Sequence, residues 1–173
     1  DGTAFRLSFS EYRDMPLHEG DALDWETYRQ SLLLRQYPEA LDRAVALLAM
    51  RARSHYEVER RLIQRGYLAD TVEMVMLKLE QNLLLDDTAF ATAWVKEHAT
   101  RGIGKARLVQ ELRMKGVDSA TVQVALDTLE AEEQAEPAIR LAGKLLHRHR
   151  SLPEKEALRK SIMAMQRRGY SYG

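Results

Sequence analysis

Two adjacent carboxylates, Asp86-Asp87, are the residues of this 173-residue chain that look most like chemistry. Paired acids can hold a divalent cation, but no histidine or third acid stands at helical spacing to complete the site. They directly precede the apolar run Phe90–Val95, where an N-cap and a first-turn acid are wanted, and that structural role explains them. His147 and His149 are two residues apart, so on one helix they point in different directions and cannot share a metal. Gly102-Ile103-Gly104 lacks the preceding strand and the further glycines of a phosphate-binding loop. Phe90 and Trp94 could form a base-stacking platform at i,i+4, but core packing is the better reading. No serine or threonine has the context of a nucleophile. The sequence points to a protein that is not an enzyme and uses no cofactor and no metal.

Basic residues make a stronger pattern. Arg51, Arg53, Arg60, Arg61 and Arg65 surround one segment; Arg101, Lys105, Arg107, Arg113 and Lys115 surround a second; Arg159, Lys160, Arg167 and Arg168 follow in a third. Solvated faces with local pairs such as Glu57–Arg61 and Arg107–Glu111 would account for some of them. Their recurrence at matching places favours a basic stripe that binds a partner, either nucleic-acid phosphate or an acidic protein face.

The elements that must carry this stripe repeat. Ser54–Tyr67 (SHYEVERRLIQRGY) and Gly104–Val117 (GKARLVQELRMKGV) each start on a small residue, place apolar residues at i,i+4 (Val58/Leu62, Leu108/Leu112), and end on a base and a glycine. Ala157–Tyr170 ends the same way. Gly66, Gly116 and Gly169 are spaced 116−66 = 50 and 169−116 = 53 residues apart. They fit the left-handed position that closes a helix, and Ser54 with Glu57 forms a capping-box pattern. The flanks repeat as well: Leu41, Val45 and Leu48 form one apolar stripe before the first copy, and Phe90, Trp94 and Val95 another before the second. Each unit reads as three short helices that bury their faces by stacking. The expected fold is all-α: three tandem three-helix units in a curved array, the third lacking its last helix, so eight main helices. The divisions fall at 1–36, 37–84, 85–134 and 135–173. In the first segment Phe5, Leu7 and Phe9 alternate with polar residues and predict a strand, paired in a β-hairpin with Met15 and Leu17. Asp24 would cap a helix through Trp25 and Leu32, and Pro38 would mark the boundary with the repeats.

Composition limits the alternatives. The absence of cysteine excludes a disulfide or thiolate framework and suits a reducing, cytoplasmic setting. No apolar run approaches the ~20 residues needed to span a bilayer, and no signal peptide is visible. The formal net charge is zero, but residues 118–136 carry six acids and no base, while 137–170 carry nine bases and two acids. This segregation would either orient a partner or pair acidic with basic helices inside the fold.

Ala40–Gly66, LLLDDTAFATAWV at 83–95 and GIGKARLVQELRMKGV at 102–117 together resemble the RecX family, regulators of the RecA recombinase. The resemblance rests on Arg53-Ser54, on Asp86-Asp87-Thr88-Ala89-Phe90-Ala91, and on Gly104 through Glu111-Leu112 to Lys115-Gly116, in this order over about residues 38–170. Family members often carry Gly-Tyr where Leu83-Leu84 stand, which leaves Asn82 to make the left-handed turn. The resemblance implies a monomeric, cytoplasmic regulator in DNA repair and the SOS response. It would bind the RecA filament and inhibit its ATPase, strand-exchange and coprotease activities, with a weak contact to DNA and none to membrane. A sequence-independent DNA-binding protein of small helical modules is the alternative.

Overall fold

The structure is a computed structural model that describes residues 7–171, apart from the side chains of residues 131–134. The described residues form nine helices and no strand: α1 (Phe9–Asp14), α2 (Trp25–Met50), α3 (His55–Arg65), α4 (Ala69–Gln81), α5 (Asp87–Thr100), α6 (Lys105–Met114), α7 (Ser119–Asp127), α8 (Ala131–Arg148) and α9 (Glu154–Arg167). They fall into two compact units, the first ending at Asp86 and the second starting at Asp87. No described helix is long and apolar enough to cross a membrane.

Among the described residues the expected β-hairpin is absent. Phe5 lies outside the described residues, and Phe9, its supposed strand neighbour, is the first residue of a helix and largely exposed. A capping box decides the local structure. The Ser8 hydroxyl accepts from the Glu11 amide, and the Glu11 carboxylate accepts from the Ser8 amide at 2.6 Å. Two helix-terminal donors are thereby satisfied, which outweighs a three-position alternation. Met15, the expected partner strand, follows the end of this helix, and its carbonyl accepts from the Tyr28 hydroxyl.

Glu11 and Gln36 then tie α1 to the first unit. Both are buried. Gln36 Nε2 donates to Glu11 Oε1 at 2.6 Å, while Gln36 Oε1 accepts from the Leu68 amide and the Thr71 hydroxyl. Leu68, at the N-cap of α4, has no side-chain cap of its own, so Gln36 supplies one from a neighbouring helix. Burial pushes the Glu11 carboxyl upward, but hydrogen bonds from Ser8 and Gln36 and the nearby Arg35 guanidinium outweigh it, and the group sits below its ordinary value of 4.5. A carboxylate held low stabilises the fold above its unfolded pKa, and that contribution is lost as the pH falls through the folded value. Glu11→Gln should therefore unfold more easily than the parent at neutral pH. The difference should close as the pH drops below about 4.5, in parallel urea titrations.

Asp24 caps α2, accepting from the Glu26 amide and the Thr27 hydroxyl. The helix then runs unbroken for 26 residues through residues 36–38, so Pro38 lies inside it. Proline removes one amide from the ladder but already has helical φ, and burial of Leu32, Gln36, Ala40 and Ala44 along one i,i+4 stripe holds the helix across it. That stripe also replaces the expected one: Val45 is exposed, and Leu41 and Leu48 are only half-buried.

The first unit closes over Ala40, Ala44, Val58, Leu62, Val72, Val75, Met76, Leu79 and Leu85. The second closes over Phe90, Ala91, Val95, Ala99, Leu108, Leu112, Val117, Val122, Ala125, Leu126 and Leu129. In each, the third helix lies chiefly on the first, α4 on α2 and α7 on α5. Val58/Leu62 and Leu108/Leu112 occupy corresponding core positions on α3 and α6, fully or almost fully buried.

Helix α4 ends in a pair of reversed hydrogen bonds, Leu83 amide to Glu80 carbonyl and Leu84 amide to Leu79 carbonyl, both 2.9 Å. The left-handed residue is Leu83 (φ 55°). Asn82, expected there, has φ −90°. A leucine in this conformation places Cβ against the following carbonyl, and its side chain, 87% exposed, packs on little to repay the strain. Leu83→Gly should raise stability by about 1 kcal/mol, some 2–4 °C in Tm. An unchanged or lower melting temperature would show that the leucine side chain has a compensating contact.

Candidate partner-binding surface

Helix α3 is built to present bases outward. Ser54 and Glu57 form a reciprocal capping box at its start, Gly66 (φ 93°) closes it, and Val58 and Leu62 bury its inner face. Arg60, Arg61 and Arg65 are left on the exposed side, and none makes an ion pair among the described residues. The expected Glu57–Arg61 pair is not formed, because Arg51 takes the Glu57 carboxylate in a two-pronged contact at 3.0 and 3.1 Å. Arg53 turns inward and donates to the Leu47 carbonyl at 3.0 Å. Its guanidinium is pulled down in pKa, first by burial and then by Arg51. Arg51 and Arg53 thus brace the α2–α3 corner, and of the five expected stripe residues in this unit Arg60, Arg61 and Arg65 are the ones left facing outward.

In the second unit Arg107 pairs with Glu111 at 2.9 Å and Arg101 with Glu97 at 2.6 Å. Arg113 reaches the Ser119 hydroxyl at 3.5 Å. Lys105 is exposed. Lys115 lies over the Trp94 ring with Nζ 4.1 Å from its centre and is half-buried, held by a cation–π contact. Trp94 also stacks on His98 at 3.9 Å, and Phe90 is buried, so these aromatics form part of the core and its edge. On α9, Lys160 pairs with Glu156 at 2.8 Å, whereas Arg159, Arg167 and Arg168 are exposed.

The remaining candidates take local roles. Helix α5 starts at Asp87, directly after Asp86. Gly102 (φ 75°), Gly116 (φ 77°) and Gly169 (φ 87°) adopt the left-handed conformation that ends α5, α6 and α9. His149 contacts the buried Ser161 hydroxyl at 3.1 Å, and His98 the Trp94 carbonyl at 2.9 Å. No group of three or more His, Asp or Glu among the described residues could hold a metal ion.

Sequence reasoning missed the contact between Gly104 and Gly169. The Gly104 amide donates to the Arg168 carbonyl at 2.7 Å, and the Ala106 amide to the Gly169 carbonyl at 3.2 Å. Gly104 offers no side-chain cap to α6; the backbone at the end of α9 does what Ser54 does for α3. A side-chain carbon on Gly104 would lie 2.3 Å from the Gly169 carbonyl group. Glycine at the Ser54-equivalent position was the available signal.

Short capped helices in three-helix groups, with apolar faces turned inward and bases outward, define a helical-repeat protein of the kind that works through its surface. Comparison with known proteins gives the family. Residues 40–79 match the first three-helix domain of RecX, and residues 86–126 match the second. The chain is 34% identical over 139 residues to the regulatory protein RecX of Amycolatopsis mediterranei, covering 80% of this chain and 79% of that protein. It is 33% identical over 135 residues to that of Bacillus subtilis, spanning 51% of the latter's length. A crystal structure of regulatory protein RecX superimposes with a TM-score of 0.76 at 28% identity, covering 97% of this chain and 83% of that one. The chain belongs to the RecX family.

Proposed function

We propose that this protein is a regulator that binds the RecA nucleoprotein filament and inhibits its ATPase, strand-exchange and coprotease activities in DNA repair and the SOS response. It acts in the cytoplasm as a monomer and by contact alone. The observation that carries this reading is the match to RecX across both three-helix units. The exposed bases of α3 and α6, with the free ones of α9, supply contacts and electrostatic steering toward an acidic filament surface. Contact between two linked units and a polymer of repeating subunits also raises the effective concentration of the second unit once the first is bound.

The test is RecA ATP hydrolysis on single-stranded DNA with increasing amounts of this protein. Inhibition well below one molecule per RecA is the expected result. Unchanged hydrolysis with the protein in excess would refute the proposal.

A further inference from the structure

We propose that the groove between α3 and α4 of the first unit docks a basic amphipathic helix of a partner protein, with Ile63 and Leu77 as its apolar contacts and Glu59, Glu73 and Glu80 as its charged rim. The groove has a volume of about 450 Å³. His55, Glu59 and Ile63 recur every four residues along its α3 wall, and its α4 wall runs from Ala69 to Glu80. Val72 and Met76 line it as buried residues, whereas Ile63 and Leu77 are 55% and 54% exposed. No lysine or arginine lines it, and His55 is held by Glu80 at 2.8 Å. Among the described residues Glu59 and Glu73 pair with no base.

The second unit supplies the comparison that carries the inference. At the shift of 116−66 = 50 residues between the repeats, Val72 and Met76 correspond to Val122 and Leu126, which are buried likewise. Ile63 and Leu77 correspond to Arg113 and Asp127, both exposed. Glu73 corresponds to Gln123, and Glu59 to Val109, which packs against the core. The inward residues are thus kept, and the outward ones differ in kind. The second unit turns charges of both signs to water at these places, whereas the first exposes an apolar pair ringed by one sign. The three-helix fold does not need Ile63 and Leu77 to be apolar, and an exposed apolar pair rimmed by polar groups is what a docking surface presents. Charge complementarity identifies the occupant: carboxylates without lysine or arginine call for bases on the partner. The same rim repels phosphate, so neither nucleic acid nor an anionic lipid surface fits it. A helix suits the groove because its backbone hydrogen bonds are internal. An extended peptide would want a sheet edge, and the described residues form no strand. The α4 wall spans about 16 Å, or three helical turns, so the partner would set apolar residues at i, i+4 and i+7 over Ile63 and Leu77. The groove lies wholly in the first unit and does not rest on the filament reading.

The test uses the full chain, without RecA or DNA, and a fluorescently labelled helical peptide of leucine and lysine about 14 residues long, with the leucines on one face. Anisotropy should show saturable binding. Ile63→Arg with Leu77→Asp copies the second unit's residues into the first. It should weaken binding at least tenfold and leave the melting temperature unchanged. Leu34→Arg with Ile139→Asp makes the same changes at exposed residues outside the groove and should have no effect. Glu59→Gln with Glu73→Gln keeps the apolar pair, so it should cost about threefold at low salt and flatten the salt dependence. Failure of the parent to bind would overturn the proposal, as would equal losses in the two apolar-to-charged variants, or equal binding of a peptide with its leucines scattered around the helix. Sedimentation of the parent and the Ile63→Arg, Leu77→Asp variant adds one further outcome. Self-association of the parent that this variant abolishes would overturn the proposal by giving the groove to a second copy of the chain.

Discussion

Replacing Gly104 with alanine should lower the stability of the protein by about 3 kcal/mol, some 6–12 °C in melting temperature. The conformation of Gly104 is not the cause: φ −80° and ψ 161° suit any residue. The cause is contact, since the new carbon would stand 2.3 Å from the Gly169 carbon and oxygen and 2.5 Å from the Tyr170 nitrogen, all backbone atoms. Backbone cannot swing aside as a side chain can, so the end of α9 must lift away. Lifting it breaks the Gly104–Arg168 and Ala106–Gly169 hydrogen bonds and leaves the start of α6 uncapped. Gly169→Ala should do comparable harm from the other side, meeting the Arg107 nitrogen at 2.4 Å and adding strain at φ +87°. Gly143 gives the contrasting result. It lies within α8, and an alanine methyl there would meet nothing within 4 Å, so Gly143→Ala should raise stability by about 1 kcal/mol through helix propensity alone. Thermal melts of the three variants, with hydrogen exchange at the Ala106 amide, check the account. Equal melting temperatures for Gly104→Ala and Gly143→Ala would remove the α6–α9 contact from it.

That contact illustrates what the sequence could show and what it could not. Helices α3 and α6 are legible because every local preference agrees: a small starting residue, apolar pairs at i,i+4, a base and a closing glycine. Gly104 was legible only as a small residue at a helix start, because its requirement comes from a backbone segment 169−104 = 65 positions away. At the N-terminus both signals were present. The alternation around Leu7 suggested a strand, while Ser8 and Glu11 spelled a capping box, and the box prevails because its hydrogen bonds are local and Gln36 adds another from α2. Pro38 misled for a related reason: proline weighs against a helix locally, but a buried stripe from Leu32 to Ala44 spans it. The basic residues were legible as a group and not as individuals. Arg51 and Arg53 look like Arg60 and Arg61 in sequence, yet the first two are bonded into a corner and the second two are not. The charge excess of residues 137–170 was visible, whereas its gathering into a cleft by α8, α9 and the turn after α5 was not.

Because the bases differ in this way, reversing them should divide cleanly. Arg60→Glu with Arg61→Glu, and Arg107→Glu with Arg113→Glu, should together weaken binding to the RecA filament by at least tenfold and shift inhibition of ATP hydrolysis to correspondingly higher protein concentration. The first pair is the cleaner probe. Neither Arg60 nor Arg61 has an ion-pair partner among the described residues to lose, so helicity and melting temperature should stay within about 0.5 kcal/mol of the parent. The second pair carries a structural cost, because Arg107 stands 2.9 Å from Glu111; reversal turns an attractive i,i+4 pair into a repulsive one, worth about 0.5 kcal/mol on an exposed helix. The loss of inhibition should therefore exceed what destabilisation explains, and it should shrink as salt rises, since exposed charges act through a field that salt screens. If Arg60→Glu with Arg61→Glu leaves inhibition unchanged while the other pair abolishes it, the filament contact belongs to the second unit alone. If neither pair matters at low salt, the bases of α3 and α6 are solvated surface, and recognition of the filament must lie with other residues of the two units.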